Sequence, residues 1–412
     1  MRRTLLAAIA LLLSPSSALA SGADLFGFGA RSAALGGTAA AVRGFEATHH
    51  NPAALADLRL RSLSVGIVGA HLDLAVDGEA RPTHDPFAAV IGVGVPIPLL
   101  GWWDGRVGLG IGVWVPTDVV VAAEIPSQGT PWLPLLEQRA RTVGVHGGVG
   151  VRLADSVSVG LGVVGLAALR GAIDVRPTTA GKLSATVENE LIADYAPIAG
   201  VMVGEGLGPR VALVYRGESR ADFDVPLDAD LGDVACAGTL CLVLPTLRIE
   251  GNAQYDPAEV HLDVAQRLGS VLVSVGVTWK DWSAFPRPVE PPVPGSPPHP
   301  LPRFEDTLVP NLAAEWSSIE RTWGAVLVRA GGWYEPSPAP DDARESVLVD
   351  PERFVGSVGV GVRLGDGGRG TVEIDAFAMV HGLVPREHAT VDGPRTGSGR
   401  VLAGGLQAGV RF

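Results

Sequence analysis

Residues 211–225 read VALVYRGESRADFDV, and apolar and charged side chains alternate along this stretch. Val211, Leu213 and Tyr215 share one parity, and charged residues occupy the other. Because successive side chains of a β-strand point to opposite faces, the stretch predicts one long strand with an apolar face and a charged face. The charged face indicates either a self-paired, solvated wall or an ion-binding ladder. Its members are Arg216, Glu218, Arg220, Asp222 and Asp224.

The same alternation recurs at 259–267, 271–279 and 371–379, which read EVHLDVAQR, VLVSVGVTW and TVEIDAFAM. A soluble sandwich buries the apolar face between two sheets, whereas a membrane barrel turns it towards lipid and the polar face towards the lumen. Alternation alone does not separate these two architectures. Their separation depends on export, length and the number of repeats.

The composition of the 412-residue chain is apolar, with 47% hydrophobic residues and a mean hydropathy of +0.27. The 54 glycines and 32 prolines suit many strands joined by many turns and would interrupt membrane-spanning helices. The net charge of −12 argues against nucleic acid as a partner.

The first residues, MRRTLLAAIALLLSPSSALA, have the pattern of a signal peptide over 1–20, with basic residues, an apolar run and a small-residue cleavage site. A membrane anchor is the alternative, but the apolar run is too short to span a bilayer. After Ser21 no apolar run is long enough for a spanning helix. Without helices, only a closed β-barrel can pair all its backbone N–H and C=O groups within a membrane, so the sequence predicts a barrel. A secreted soluble β-protein is the competing interpretation.

Connections of two kinds follow one another along the chain. Short joints at 153–156, 205–210 and 365–370 alternate with longer loops. This asymmetry is typical of outer-membrane barrels, and the spacing predicts about fourteen strands. The Pro-rich segment 285–304 is interpreted as a surface loop rather than a linker between domains. The longer loops are predicted at 120–138, 226–246, 286–303, 337–352 and 385–398.

The last predicted strand, RVLAGGLQAGVRF, places Leu402, Leu406 and Phe412 on one parity. An aromatic residue at the end of an amphipathic strand resembles the signal that outer-membrane barrels present to their assembly machinery. We therefore expect Phe412 to contact that machinery.

Residues 21–59 do not alternate and are rich in alanine and glycine, which suits a compact hatch packed inside a barrel spanning 60–412. Within EATHHNPAALADL (46–58), Asn51 is a good N-cap, Pro52 suits the first helical position and Ala53 continues the turn. Adjacent His49 and His50 point in different directions in a helix or strand, so a packing role is favoured over a metal site.

Five segments of the chain resemble the FadL/OmpP1/TodX family of outer-membrane hydrophobic-compound transporters. Two lie in the hatch, GFGARSAALGGTAAAV (27–42) and NPAALADL (51–58), and the others are VGLGIGVWVPTD (107–118), 255–285 and 329–364. The resemblance implies a fourteen-stranded antiparallel barrel with an N-terminal hatch that carries Asn51, Pro52 and Ala53. It also implies uptake of a hydrophobic ligand, a fatty acid or hydrocarbon, by a monomer in the Gram-negative outer membrane.

Some family members release ligand sideways through a gap beside a kinked third strand, and 107–118 matches that strand. It carries Gly108, Gly110, Gly112 and Pro116, which weaken strand pairing locally. Ordinary tolerance of glycine in a barrel is the alternative. Aromatic residues are only 6%, few for two girdles, and five tryptophans near predicted strand ends are candidates for one of them. These are Trp279, Trp282, Trp316, Trp323 and Trp333.

The two cysteines, Cys236 and Cys241, predict a disulfide in an oxidising compartment, with a metal pair as the alternative. No catalytic motif is present, and nothing in spacing connects His261, His381 or His388 to a nucleophile. The sequence therefore predicts a passive transporter without enzymatic activity, metal or cofactor. Long-chain fatty acids and similar lipids are the expected ligands, with aromatic hydrocarbons as the alternative. A general porin and a surface adhesin or structural barrel remain as alternatives from other classes.

Overall fold

The computed structural model describes most of the chain. The described residues are 22–117, 133, 136, 142–177, 183–204, 208–229, 236–237, 240–241, 247–287, 291, 300–321, 323–343, 347–365 and 370–412. The predicted signal peptide lies outside these residues, as do most of the loop predicted at 120–138 and most of the joint 365–370.

Fourteen antiparallel strands form a closed barrel, as the sequence predicted. β1 pairs with β2 on one side and with β14 on the other, from Ser62 opposite Arg411 to Val76 opposite Gly397. This pairing of first and last strands closes the wall and leaves no free sheet edge there. The strands are β1 Ser62–Val76, β2 Phe87–Pro96, β3 Val107–Pro116, β4 Gly144–Ala154, β5 Val157–Pro177, β6 Leu183–Val203, β7 in two segments (Arg210–Arg216 and Ser219–Ala229), β8 in two segments (Leu247–Asp256 and Glu259–Leu268), β9 Val271–Lys280, β10 Thr307–Arg321, β11 Gly324–Glu335, β12 Arg353–Leu364, β13 Thr371–Thr390 and β14 Gly393–Arg411.

The outer face of the wall is apolar around the barrel. On β9, Val273 and Val275 are exposed while Ser274 between them is buried. On β13, Ile374 is exposed while Asp375 is buried. Exposed Leu, Ile and Val next to buried polar residues is the arrangement of a wall that faces lipid, because water would favour the reverse.

The two ends of the barrel differ in their connections. Two-residue turns join β4 to β5 and β8 to β9 at the end that also carries Ser62 and Phe412, whereas the connections from β3 to β4, from β9 to β10 and from β11 to β12 at the opposite end are much longer. In outer-membrane barrels the short turns face the periplasm, and we use that orientation to name the ends inner and outer. The loop predicted at 385–398 was wrong: β13 and β14 continue through it, with only Val391 and Asp392 between them.

The prediction of one strand over 211–225 was also wrong. β7 breaks after Arg216, and its second segment pairs with the first segment of β8 and, in parallel, with β5 from Leu169 opposite Phe223. Gly217 lies at the break, and the close approach of the Pro197 ring on β6 leaves no room for a side chain there. The segments beyond it form an extension of sheet at the outer end.

The segment from Gly22 to Asp57 folds inside the barrel as short helices. These are α1 Gly22–Phe26, α2 Ala30–Ala34, a 3₁₀ turn at Gly44–Glu46, α3 Ala47–His50 and a second 3₁₀ turn at Pro52–Asp57. Nearly all their side chains are buried, and small residues allow the close packing. We call this segment the hatch. Among the described residues no helix is long and apolar enough to cross a membrane.

Two of the five tryptophans considered for a girdle do not face lipid. Trp282 is buried with Tyr255, Phe285 and Phe304 in an aromatic cluster of the outer loops. Trp333 points into the lumen and packs against the apolar core. Trp316 and Trp323 are exposed, as a girdle requires. A position near a strand end therefore does not determine whether a tryptophan faces lipid or the lumen.

Candidate functional site

The hatch turn that begins at Asn51 is capped as its sequence predicted. The Asn51 side-chain oxygen accepts a hydrogen bond from the Ala53 amide at 3.0 Å, and its side-chain nitrogen donates to the Ala39 carbonyl at 3.3 Å. Asn51 is fully buried, and Pro52 occupies the first position of the turn. One side chain therefore holds the turn and joins it to an earlier part of the hatch.

Asn51→Ala is expected to destabilise the seated hatch by roughly 1 kcal/mol, because it removes the cap acceptor. Hydrogen exchange at the Ala53 and Ala54 amides should accelerate, while amides of the barrel strands keep their protection and serve as the internal control. Unchanged exchange at Ala53 would show that the cap does not stabilise the hatch.

The wall behind this turn is lined with glycine. A Cβ at Gly108 on β3 would overlap the carbonyl of Leu55, and one at Gly160 on β5 would overlap the backbone of Pro52. Other positions on β3 to β6 are similarly occupied by the hatch. We call this surface the glycine seat: Gly108, Gly110, Gly148, Gly150, Gly160 and Gly200.

The glycines of β3 thus have a role that the sequence did not suggest. Gly108 and Gly110 contact the Pro52–Asp57 turn, and Gly112 lies against Phe28 and Phe45 of the hatch. β3 is paired with β2 as far as Pro116, whereas its pairing with β4 ends at Trp114 opposite Gly144. A lateral opening at this strand therefore stays a prediction, and Pro116 lies beyond the last pair on the β4 side.

Buried ion pairs join the hatch to the wall on one side. Arg31 of α2 contacts Glu315 of β10 at 2.9 Å, and Glu315 also contacts Arg329 of β11 at 2.8 Å. Arg329 in turn pairs with Asp375 of β13. All four side chains are at least nine-tenths buried, so each charge depends on its partners rather than on water.

A second ion cluster holds the other side of the hatch. Asp24 of α1 contacts Arg216 of β7 at 2.7 Å and His49 of α3 at 3.0 Å. Arg216 also contacts Glu259 of β8 at 2.5 Å. At the inner end, Asp57 pairs with Arg152 of β4 and Arg210 of β7. The hatch is therefore fixed at three places.

Glu46 is a buried carboxylate within the hatch. It accepts a hydrogen bond from the Ser32 amide at 3.0 Å, and Gln407 of β14 donates to its other oxygen at 3.5 Å. Burial raises the pKa of Glu46 to about 7, and the charge of Asp375 acts in the same direction, whereas the cations of Arg31 and Arg329 lower it.

The raised pKa makes hatch seating pH-dependent. A released, solvated Glu46 ionises near its ordinary pKa of 4.5, whereas the seated group stays protonated up to about pH 7. The free energy by which the protonated Glu46 carboxyl stabilises the seated hatch is therefore fully present below about pH 4.5. It decreases by about 3 kcal/mol as the pH rises to 7. His49 and His50 act oppositely, since burial lowers their pKa. The measurement is the exchange rate of the Ser32 amide in wild type and in Glu46→Gln as a function of pH. The difference between the two proteins should change between pH 4.5 and 7, and it should stay constant if the carboxyl does not titrate in this range.

Two cavities lie on opposite sides of the hatch. The outer cavity has a volume of about 80 Å³ and is bounded by α1, α3 and strands β7 to β11 and β13. The inner cavity has a volume of about 60 Å³ and is bounded by the Gly44–Glu46 turn and the inner ends of β1 and β11 to β14. Both volumes are well below the roughly 300–1,000 Å³ of sites for small organic molecules, so such a molecule could enter only if the hatch moved.

The outer lumen has one polar and one apolar sector. Its polar sector carries Arg216, Glu259, His261, Thr278, Lys280 and Asn311. Its apolar sector packs against Leu25 and Phe26 of the hatch and consists of Leu72, Leu74, Val76, Val355, Phe377, Met379, Leu383 and Val401. Met379 and Trp333 line the outer cavity where the two sectors meet. The lining of the outer lumen is thus amphipathic.

The inner cavity has a moderate excess of cations. Its lining carries five arginines, Arg31, Arg43, Arg329, Arg363 and Arg411, against three carboxylates, Glu46, Glu373 and Asp375, and Glu315 behind the lining pairs with two of the arginines. Since the pKa of Glu46 is about 7, its carboxyl offsets little of the positive charge in mildly acidic solution. This side of the hatch would attract an anionic group.

Some buried polar atoms near the outer cavity have no hydrogen-bond partner among the described residues. They are Nε2 of His50, both ring nitrogens of His146 on β4 and the indole nitrogen of Trp114 on β3. The His146 ring packs on Phe28 with centroids 4.2 Å apart and on His49 at 4.9 Å. His50 lines the outer cavity, so its nitrogen can meet a polar group that enters.

The histidines and cysteines do not form a metal site within the described parts of the chain, where no three metal-ligating side chains are grouped. His261 contacts Glu259 and Thr278, whereas His388 contacts loop carbonyls, so these histidines lie in separate places. The backbone sets Cys236 opposite Cys241 in a two-residue ladder. The disulfide between them stays a prediction.

Asp24, Arg31 and Glu46 were not singled out from the sequence, and Arg216 was placed on a charged face that either pairs with itself or binds an ion. The signal for the first three was charge in a segment otherwise built of Ala and Gly, since a charged residue that must be buried needs a partner. Their partners on the wall, Arg216, Glu315 and Gln407, lie more than a hundred residues away in sequence, so their identity required the closed barrel.

Comparison with known proteins gives a consistent fold. No protein-family model and no curated protein matches the sequence. Among solved structures, the chain is similar to a FadL homologue from Pseudomonas aeruginosa, with 16% identity, 97% of this chain and 99% of that chain covered, and a TM-score of 0.62.

Two toluene transporters are also similar to it. TbuX from Ralstonia pickettii is 16% identical, with 94% of this chain and 99% of that chain covered and a TM-score of 0.55. TodX from P. putida is 14% identical with the same coverage and a TM-score of 0.56. The class of protein is thus a β-barrel with an internal hatch. Within that class the fold is the FadL type, which confirms the resemblance at the level of fold.

Proposed function

We propose that this chain is an outer-membrane transporter of the FadL family that takes up amphipathic hydrophobic molecules, with long-chain fatty acids as the substrate class. The observation that carries the proposal is the pair of cavities separated by the hatch, the outer one amphipathic and the inner one cationic. Burial of an acyl chain along the apolar sector would drive binding. The polar sector would then orient the head group.

The inner cavity supports a carboxylate in particular. An anion leaving the outer cavity would move towards the arginines beyond the hatch, whereas a neutral hydrocarbon would gain nothing from them. His50 contributes a buried nitrogen at the cavity wall that no described residue meets with a hydrogen bond. We assign His50 to the head group of the ligand.

Uptake of aromatic hydrocarbons is the second candidate function. It is supported by the fold shared with TodX and TbuX, which are toluene transporters, and by the packed rings of Phe28, His49 and His146 beside the outer cavity. An aromatic ligand would stack on such rings.

The test is uptake of labelled oleate and labelled toluene by Gram-negative cells that lack such a transporter, with and without this protein. Oleate uptake that falls in His50→Phe and persists in His71→Phe, an exposed outer histidine, supports the fatty-acid proposal. Toluene uptake alone supports the second candidate. Uptake of neither by a folded barrel contradicts both, and conductance in planar bilayers then separates a porin from an adhesin.

The remaining expectations belong to the same proposal. The chain would be exported by its signal peptide, assembled through Phe412 and held as a monomer in outer-membrane lipid. It would need no cofactor and catalyse no reaction. The hatch fills the lumen between the two cavities, which favours little ion conductance in the resting state.

A further inference from the structure

The connection between β2 and β3 differs from the other connections at the inner end of the barrel. It comprises residues 97–106, whereas two residues join β4 to β5 and β8 to β9 at the same end. Its sequence, IPLLGWWDGR, presents apolar side chains to the surroundings. Leu100 is 93% exposed, Trp102 is 53% exposed and Trp103 is 45% exposed. We call residues 97–106 the foot.

The foot continues the lipid-facing surface of the barrel. Val93 on β2 and Ile111 on β3 are exposed on the outer face of the wall. Pairing continues beyond β2, where the Ile97 amide donates to the Val107 carbonyl at 2.8 Å. Leu99, on the same parity as Val93, is also exposed. The apolar surface of the foot is therefore continuous with a surface that the fold assigns to lipid.

The foot is held in one shape by contacts at its base. The rings of Trp102 and Trp103 meet edge to face at 4.7 Å, and the Arg106 guanidinium lies 4.7 Å from the Trp102 ring centre. Arg59, which follows the hatch, donates to the Gly105 carbonyl at 2.8 Å. A built apolar tip with arginines behind it is the arrangement of a segment at a lipid–water interface.

We propose that the foot inserts into the periplasmic leaflet of the outer membrane, with phospholipid as its occupant. Leu100 and the two indoles would lie among the upper acyl chains. Arg59 and Arg106 would lie at the level of the phosphates. The inference depends on the proposed membrane location but not on the transported ligand.

The consequence concerns the inner end of the hatch. Arg59 donates both to the foot and to the Ala56 carbonyl of the last hatch turn. Lipid contact would therefore hold the outside of the wall beside β3 at the point where the hatch chain leaves the lumen. The foot would give this part of the barrel a fixed depth in the membrane.

The test uses single cysteines labelled with the fluorophore NBD in a Cys236→Ser, Cys241→Ser background, reconstituted in phosphatidylethanolamine–phosphatidylglycerol vesicles with brominated acyl chains. Leu100→Cys and Trp103→Cys report on the foot. Val275→Cys lies on the lipid-facing wall and Ser270→Cys on a two-residue turn at the same end. Bromine should quench both foot probes at least about twofold more than the Ser270 probe.

The two reference positions separate the outcomes. Quenching at Val275 with foot probes as unquenched as Ser270 overturns the inference and leaves a periplasmic protein or a second copy of the chain to cover the foot. Absence of quenching at Val275 overturns the membrane location and the inference together. Quenching at Val275 and at both foot positions supports the inference whatever the uptake experiments show.

Discussion

Gly160→Val is expected to convert the resting barrel into an open pore. A side chain at this position of β5 would occupy the place of the Pro52 carbonyl and the Ala53 amide, so the hatch turn could not remain in the glycine seat. The wall itself should tolerate the change, since valine is a good strand residue and Gly160 pairs with Gly150 through backbone atoms. The weaker element, the hatch, would give way.

The measurement is conductance of purified protein in planar bilayers, with heat-modifiable gel mobility to confirm a folded barrel. Conductance should increase roughly tenfold or more, because a barrel of this size without its plug leaves an aqueous lumen. Gly147→Val on the neighbouring strand is the matched control, since its nearest neighbour is a Val163 methyl group at 4.0 Å. A folded Gly160→Val barrel that conducts no more than this control would show that the hatch can seat elsewhere.

The glycine seat illustrates what the sequence did and did not reveal. Gly108, Gly110 and Gly112 follow one another at period two, and the sequence offered a weak wall or simple tolerance as explanations. In the structure they mark the face that the hatch occupies. The sequence of a strand shows that one of its faces lacks side chains. Only the structure of the closed barrel shows that the hatch occupies the space beside that face.

The barrel could be predicted because its signal is local and repeated. Lipid selects an apolar side chain at every second position of each spanning strand, so any one strand carries the pattern. The outer ends of β13 and β14 were missed because they project beyond that requirement and have no apolar face to conserve alternation. The break in β7 was missed because Gly217 interrupts the strand without interrupting the parity.

The candidate site was predictable where it is local. The Asn51 cap joins atoms two residues apart, so the sequence was sufficient to place it. Arg31 and Glu315 are 284 residues apart, and no local pattern connects them. Their pairing depends on the position of the hatch within the barrel and on the register of ten strands between them.

Arg329→Met is expected to cost about 3–5 kcal/mol of barrel stability, because it leaves the buried carboxylate of Asp375 without its cation. Arg329 lies between Glu315 and Asp375 and is only 2% exposed, so water cannot replace its charge. Glu315 keeps its ion pair with Arg31. Asp375, in contrast, loses the guanidinium of Arg329, which donates a hydrogen bond to it.

Reversible urea unfolding in lipid vesicles, followed by tryptophan fluorescence, would measure this loss. Arg386→Met is the matched control: it breaks a 2.8 Å pair with Asp341, but Asp341 is 82% exposed and the cost should be below about 1 kcal/mol. Adding Asp375→Asn to Arg329→Met should recover part of the stability, because a neutral amide is less costly to bury than an unpaired carboxylate. Equal losses in Arg329→Met and Arg386→Met would mean that the lumen is hydrated enough to screen its charges, and the ion pairs would then contribute little to holding the hatch.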